Sequence, residues 1–135
     1  MNLYVDTSAL MKLVLREEGS RVAEELWQAS ERVVTSRLTY PEARAALAAA
    51  IRAGRVRGRG RARARSSLEL AWESLGVIDL DGPIGIRAGA LAETHRLRGS
   101  DAVQLASAMA LGGVLATWDR DLSRAAREAG LAVAP

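Results

Sequence analysis

Apolar and polar residues alternate along this chain with two different periods, and the switches between them predict its elements. Leu3-Tyr4-Val5 is a short apolar run closed by Asp6-Thr7-Ser8, which reads as a buried strand over Asn2–Val5 handing over to a helix with Leu10, Leu13 and Val14 at helical spacing. A second helix from about Ser20 to Ala29 gathers Val22, Leu26 and Trp27 on one side, and Arg32–Ser36 is β-rich through Val33, Val34 and Thr35. The Ala-rich stretch from Thr39 to Gly54 is a strong helix former ended by a good C-cap residue. Leu68, Ala71, Trp72 and Leu75 then repeat at i, i+3, i+4 and i+7 until Gly76 stops that helix. A strand over 76–80, a helix over 82–98 with Pro83 near its start, a helix over 100–111 capped by Ser100, a strand over 114–117, a helix over 119–129 and a short strand over 131–134 complete the pattern. Strands alternate with helices throughout, which predicts an α/β chain with a parallel sheet between helices, in one domain over residues 1–135.

Composition narrows the chemistry. With 135 residues, 49% hydrophobic and 26% charged, the chain can bury a real core and is neither disordered nor low in complexity. The absence of cysteine excludes a disulfide scaffold, a thiolate zinc site and a cysteine nucleophile, and fits a reducing compartment. Its longest charge-free stretch, Ala102 to Trp118, carries Gln104, Ser107, Gly112 and Gly113 and is too short to span a bilayer, so no membrane segment is expected. Residues 1–6 lack the cationic region of a secretory signal, and a cytoplasmic location is the expectation.

The charge has a location. Seven arginines between Arg52 and Arg65 include Arg55, Arg57, Arg59, Arg61 and Arg63, with no acid among them; without these seven, 12 cations face 16 anions, so the net +3 of the chain arises from this segment. Gly54, Gly58 and Gly60 argue against a helix there, and on an extended backbone arginines at every second position would point to one side. Such a patch suits phosphate, as in RNA, or an acidic protein partner.

Candidate chemistry sits where a parallel sheet presents it, beyond the carboxyl ends of its strands. Asp6 follows the first strand, Asp119 follows Val114–Thr117 with Asp121 two residues on, and Glu42 and Asp101 fall in the first turns of their helices. Capping accounts for each acid separately, and Thr39-Tyr40-Pro41-Glu42 is written as a capping box. It does not account for two acids at the strand ends of one sheet. Carboxylates gathered there would raise one another's pKa unless a cation neutralised them, and a hard divalent ion, Mg²⁺ or Mn²⁺, answers that need with oxygen ligands. The single His95 cannot build a zinc site and is expected on a helix surface. No P-loop, dinucleotide fingerprint or nucleophile elbow is present.

Four segments in order, Tyr4-Val5-Asp6-Thr7-Ser8-Ala9-Leu10, Tyr40-Pro41-Glu42-Ala43-Arg44, Gly99-Ser100-Asp101-Ala102-Val103-Gln104-Leu105-Ala106 and Ala116-Thr117-Trp118-Asp119-Arg120-Asp121-Leu122, give the chain its resemblance to a PIN domain. Among these it is most similar to the toxin ribonucleases of VapBC toxin–antitoxin pairs. The resemblance implies a three-layer α/β/α fold with a five-stranded parallel sheet of order 3-2-1-4-5. It also implies an acidic quartet, Asp6, Glu42, Asp101 and Asp119, that binds Mg²⁺ or Mn²⁺ for hydrolysis of RNA by activated water. Ser8 and Thr117 match supporting hydroxyl positions and Asp121 is an additional acid beside the quartet. A small cognate antitoxin and a homodimer follow from the same resemblance, whereas RNA contact by the arginine segment is an inference from its charge. The alternative is a noncatalytic RNA- or protein-binding module whose acids only cap helices.

Overall fold

The computed structural model describes residues 1–135, and its centre is five short strands: β1 (Asn2–Val5), β2 (Arg32–Ser36), β3 (Gly76–Ile78), β4 (Val114–Ala116) and β5 (Val133–Ala134). All pair in parallel in the order β3-β2-β1-β4-β5, as the resemblance implies. Seven helices connect them: α1 (Thr7–Val14), α2 (Ser20–Gln28), α3 (Thr39–Arg52), α4 (Arg59–Ser74), α5 (Gly82–His95), α6 (Gly99–Leu111) and α7 (Arg120–Glu128). None of them is long and apolar enough to cross a membrane.

The two-residue period of β1 divides the core. Leu3 and Val5 point to one face, where they join Leu10, Val14, Leu47 and Leu68 from α1, α3 and α4. Tyr4 points to the other, with Ile84, Leu105, Leu115 and Leu122 from α5, α6, β4 and α7. The sheet therefore lies between two helical layers, as an all-parallel sheet requires. Register fixes the business end: Val5 stands beside Ala116, so Asp6 and Thr117 leave the sheet at the same level on adjacent strands. Since β1 has β2 on one side and β4 on the other, that level is where the chain's winding reverses and a crevice opens.

Several local expectations are corrected. The arginine segment is not extended: α4 begins at Arg59, so Arg59, Arg61 and Arg63 are helical and, at two-residue spacing on a 100° helix, splay around the axis instead of sharing a side. Arg57 folds its Nε back onto the Gly54 carbonyl at 2.8 Å. The capping box is not formed, because α3 begins with Thr39 inside the first turn after Leu38, and Thr39 turns its hydroxyl into the core. Ser100 is not a cap either; Arg98 occupies that position without a side-chain bond. His95 is tucked against Glu128 at 2.9 Å, its side chain only 11% exposed.

Gly112 and Gly113 set up the return from α6 to β4 for different reasons. Gly112 takes φ +75° in open space, whereas a Cβ on Gly113 would collide with the Asn2 backbone at the start of β1. Gly112→Ala is expected to cost about 1–2 kcal/mol for the left-handed conformation alone. Gly113→Ala is expected to cost roughly 3 kcal/mol or more, because the β1–β4 pairing has to shift. Chemical denaturation of the two variants measures the difference, and equal losses would mean that β1 is not held so closely.

Candidate active site

The candidate acids stand at four hand-overs from strand or loop to helix. Asp6 and Asp119 follow β1 and β4 as the N-caps of α1 and α7, with Asp6 Oδ1 accepting from the Ala9 N–H at 2.9 Å and Asp119 Oδ1 from the Leu122 N–H at 2.9 Å. Capping thus fixes these two side chains without using up their second oxygens. Glu42 projects from the first turn of α3 and Asp101 from that of α6, both partly exposed.

Asp6 is 4% exposed and clamped on both sides. The Thr117 hydroxyl donates to its Oδ2 at 2.6 Å, the Ser8 hydroxyl donates to its Oδ1 at 2.7 Å, and Ser8 Oγ accepts the Trp118 N–H at 2.8 Å. Ser8 and Thr117 therefore tie β1 to β4 through the carboxylate, the supporting position expected of them. Burial pushes the Asp6 pKa up to about 6 from 3.8, with hydrogen bonds from Thr117, Ala9 and Ser8 opposing and the nearby Asp119 charge adding to the rise. Asp101 is also raised, first by burial and then by the charge of Asp119, with Glu42 adding to it; Arg98, 3.3 Å from Asp101 Oδ2, opposes. Charge contacts therefore link Asp6 to Asp119, Asp119 to Asp101 and Asp101 to Glu42. As their side chains stand, no three of them close into a ready-made ion cage. Asp121 is exposed on α7, outside this hydrogen-bonded group.

Glu42 has partners that the sequence reading missed. Its Oε1 accepts the Thr7 hydroxyl at 2.8 Å and the Gln104 amide N–H at 2.9 Å. Thr7 follows Asp6, and Gln104 is the single amide in an otherwise apolar stretch three residues after Asp101, the one signal that could have marked it. Arg98 was missed because three-residue proximity to Asp101 becomes a contact only once α6 has formed.

The arginine segment stands apart. Arg55, Arg57, Arg59, Arg61 and Arg63 are all exposed, at and after the bend between α3 and α4. Arg55, Arg57 and Arg63 line a groove of about 660 Å³ shared with Lys12, Glu17 and Glu24, at the end of α1 remote from Asp6. Eight residues of helix separate the two ends, about 12 Å.

The four acids offer only hard oxygen, with no thiolate or imidazole among them, and burial together with neighbouring carboxylates raises Asp6 and Asp101; both properties fit a divalent cation such as Mg²⁺ or Mn²⁺. Residues 3–128 match the PIN domain family. The chain belongs to that family. It is 44% identical over 136 aligned positions to Ribonuclease VapC45 of Mycobacterium tuberculosis, covering 98% of this chain and 94% of that protein. In three dimensions it is similar to PAE2754 from Pyrobaculum aerophilum, with a TM-score of 0.74 and 28% identity, covering 98% of this chain and 83% of the other. It also shares the fold of a chain in a toxin–antitoxin complex from Klebsiella pneumoniae, with a TM-score of 0.65 and 24% identity over 90% of each chain.

Burial of Asp6 in this PIN domain has a measurable cost. Because the folded pKa lies above the ordinary value, the stability linked to this group is fully present below pH 3.8 and is lost as pH rises through about 6. In the metal-free protein, Asp6→Asn removes that dependence while retaining a capping side chain. Its stability relative to the parent is expected to improve by up to about 3 kcal/mol between pH 4 and pH 8. Denaturation at a series of pH values checks this, and a pH-independent difference would show that Asp6 is not desolvated.

Proposed function

We propose that this PIN domain is a Mg²⁺- or Mn²⁺-dependent endoribonuclease acting as the toxin of a toxin–antitoxin pair. The observation that carries the reading is the gathering of Asp6, Glu42, Asp101 and Asp119 at the winding reversal of the sheet, each within reach of another's charge. The 44% identity to a protein named as a ribonuclease supports the reaction class. The fold shared with a toxin–antitoxin complex supports a small protein antitoxin as partner. RNA is the substrate in this reading, and a homodimer comes with it.

Asp6, Glu42, Asp101 and Asp119 would hold the ion, Asp6 through the lone pair that remains on Oδ2 beside its Thr117 bond. When bound, it supplies a water of lowered pKa and neutralises charge on the phosphodiester. The chain's own groups prepare that chemistry. Thr117 and Ser8 orient Asp6 and hold it in the charged form at neutral pH, against the pull of burial. Asp119 is fixed at Oδ1 by α7, which turns Oδ2 to the crevice. The Arg98 guanidinium, four-fifths exposed, neutralises Asp101 in the free protein and is placed to meet substrate phosphate. Water as nucleophile leaves a 5′-phosphate and a 3′-hydroxyl. Asp121 has no assigned part beyond an outlying charge.

One observation favours the second reading, a noncatalytic binding module: Asp6 and Asp119 do cap α1 and α7. Asp6→Asn and Asp119→Asn keep those caps but weaken a hard-cation site. Cleavage of an RNA oligonucleotide pool in Mg²⁺ is expected to fall in each by about 100-fold or more, past the 10-fold that loss of a mere supporting bond can bring. Parental rates in both variants would establish the binding module instead.

For Arg55, Arg57, Arg59, Arg61 and Arg63 the reading is phosphate contact away from the scissile bond. Arg55, Arg59 and Arg61 are free of the backbone contact that engages Arg57. Changing these three to Ala is expected to lower the slope of log affinity against log salt by roughly 0.7 for each phosphate that is no longer neutralised. An unchanged slope would assign the segment to a protein partner.

A further inference from the structure

Beneath the acidic crevice lies a buried chain of polar side chains to which the nuclease chemistry assigns no part. Gln104 is 2% exposed, on the face of α6 turned to the sheet. Its Oε1 accepts the Tyr4 hydroxyl at 2.6 Å, and its Nε2 donates to Thr39 Oγ1 at 3.0 Å and to Glu42 Oε1 at 2.9 Å. Thr39 Oγ1 lies 2.7 Å from Thr35 Oγ1, which donates to the Val5 carbonyl at 2.6 Å. Tyr4, Thr35 and Thr39 are fully buried, so every bond in this chain forms away from water.

The hydrogen inventory leaves one arrangement. The Tyr4 phenol is fully buried with its oxygen 2.6 Å from Gln104, and as a neutral hydroxyl it donates its one proton there. A tyrosine proton pointing at the amide requires an oxygen there, which places the Gln104 NH₂ on the side of Glu42 and Thr39. A flipped amide would set a carbonyl against the Glu42 carboxylate and leave the tyrosine proton unpaired in the core. With Thr7 as the second donor, Glu42 Oε1 is fully occupied, while Oε2 accepts nothing from the protein.

The geometry points to Gln104 as a positioning residue: anchored by Tyr4, it holds Glu42 by one oxygen so that the other faces the crevice as a metal ligand. This rests on the metal-dependent reading above. It extends the site one layer into the core, from the four acids to β1 and the buried face of α6, and makes Tyr4 the anchor of that layer.

The test uses the full chain and Mn²⁺ alone as probe, with binding followed by the electron paramagnetic resonance of the free ion. Gln104→Met keeps the volume and removes both donors. It is expected to weaken Mn²⁺ binding about 10-fold, within the range seen when a ligand loses its hydrogen-bond partner. The Mn²⁺ concentration giving half-maximal RNA cleavage should rise by the same factor, with the rate at saturating Mn²⁺ within about 3-fold of the parent. Ser107→Ala is the control, a buried hydroxyl on the same helix face with no hydrogen-bond partner; its Mn²⁺ affinity should match the parent's. Should Gln104→Met not fold, Gln104→Asn keeps an amide but draws it back from Glu42, and the same loss of Mn²⁺ affinity is expected with a cooperative unfolding transition. Parental Mn²⁺ affinity in a folded Gln104 variant, or an equal loss in Ser107→Ala, overturns the positioning role while leaving the nuclease reading intact. A parent chain that neither binds Mn²⁺ nor cleaves RNA overturns both.

Discussion

A negative charge kept out of water is the constraint around which this PIN domain is built. Asp6 sits at the end of the central strand, almost wholly excluded from solvent, and its ionised form survives there only because three donors converge on it. Two come from the first turn of its own helix, Ser8 and Ala9, and one from Thr117 at the end of the neighbouring strand. The last requires β1 and β4 to be in register, so the alignment of Val5 with Ala116 and the close approach of Gly113 to Asn2 both serve the same carboxylate. An isolated buried charge of this kind is unfavourable, and the remaining acids make it more so. A buried charge of this kind costs stability, as groups held for function often do.

The second acid is managed by different means. Glu42 is less buried and is fixed by hydroxyl and amide donors rather than by a helix N-terminus. Behind those donors the core of the sheet is polar, with Tyr4, Thr35, Thr39 and Gln104 joined where hydrophobic residues would otherwise pack. Buried polar groups of this kind are tolerated only when each finds a partner, and here all but Ser107 do. The two halves of the crevice are therefore supported by separate networks, one across β1–β4 and one across β1, α3 and α6. The positive segment belongs to neither, lying beyond the far end of α1.

Much of this was legible in one dimension. Strand and helix periods located every element but the start of α4 to within a few residues, because parallel strands buried on both faces and helices with one apolar face leave distinct traces. The positions of Asp6 and Asp119 after apolar strands marked the site, since the carboxyl ends of parallel strands are where helix N-termini and ligands meet. Local rules misled where tertiary packing had another use for the same residue. Thr39 and Glu42 are spaced as a capping box, yet the burial of Thr39 against Thr35 and Gln104 outweighs the cap. The glycines among the arginines suggested an extended connector, yet Ala64 and Leu68 can reach the core only if α4 starts early enough to carry them there.

Fold class, element order and the placing of Asp6 and Asp119 at strand ends were already written in the order of residues, because they depend on periodicity and on which residue follows which strand. How those acids are held is a property of the folded chain alone. Gln104 lies far from Tyr4 and Glu42 along the chain, as Thr117 does from Asp6, and the hydrogen bonds between them exist only once the sheet has closed. Separations of that kind leave no local pattern to read: a glutamine in an apolar helix looks like a defect until the tyrosine and glutamate on either side of it are in place.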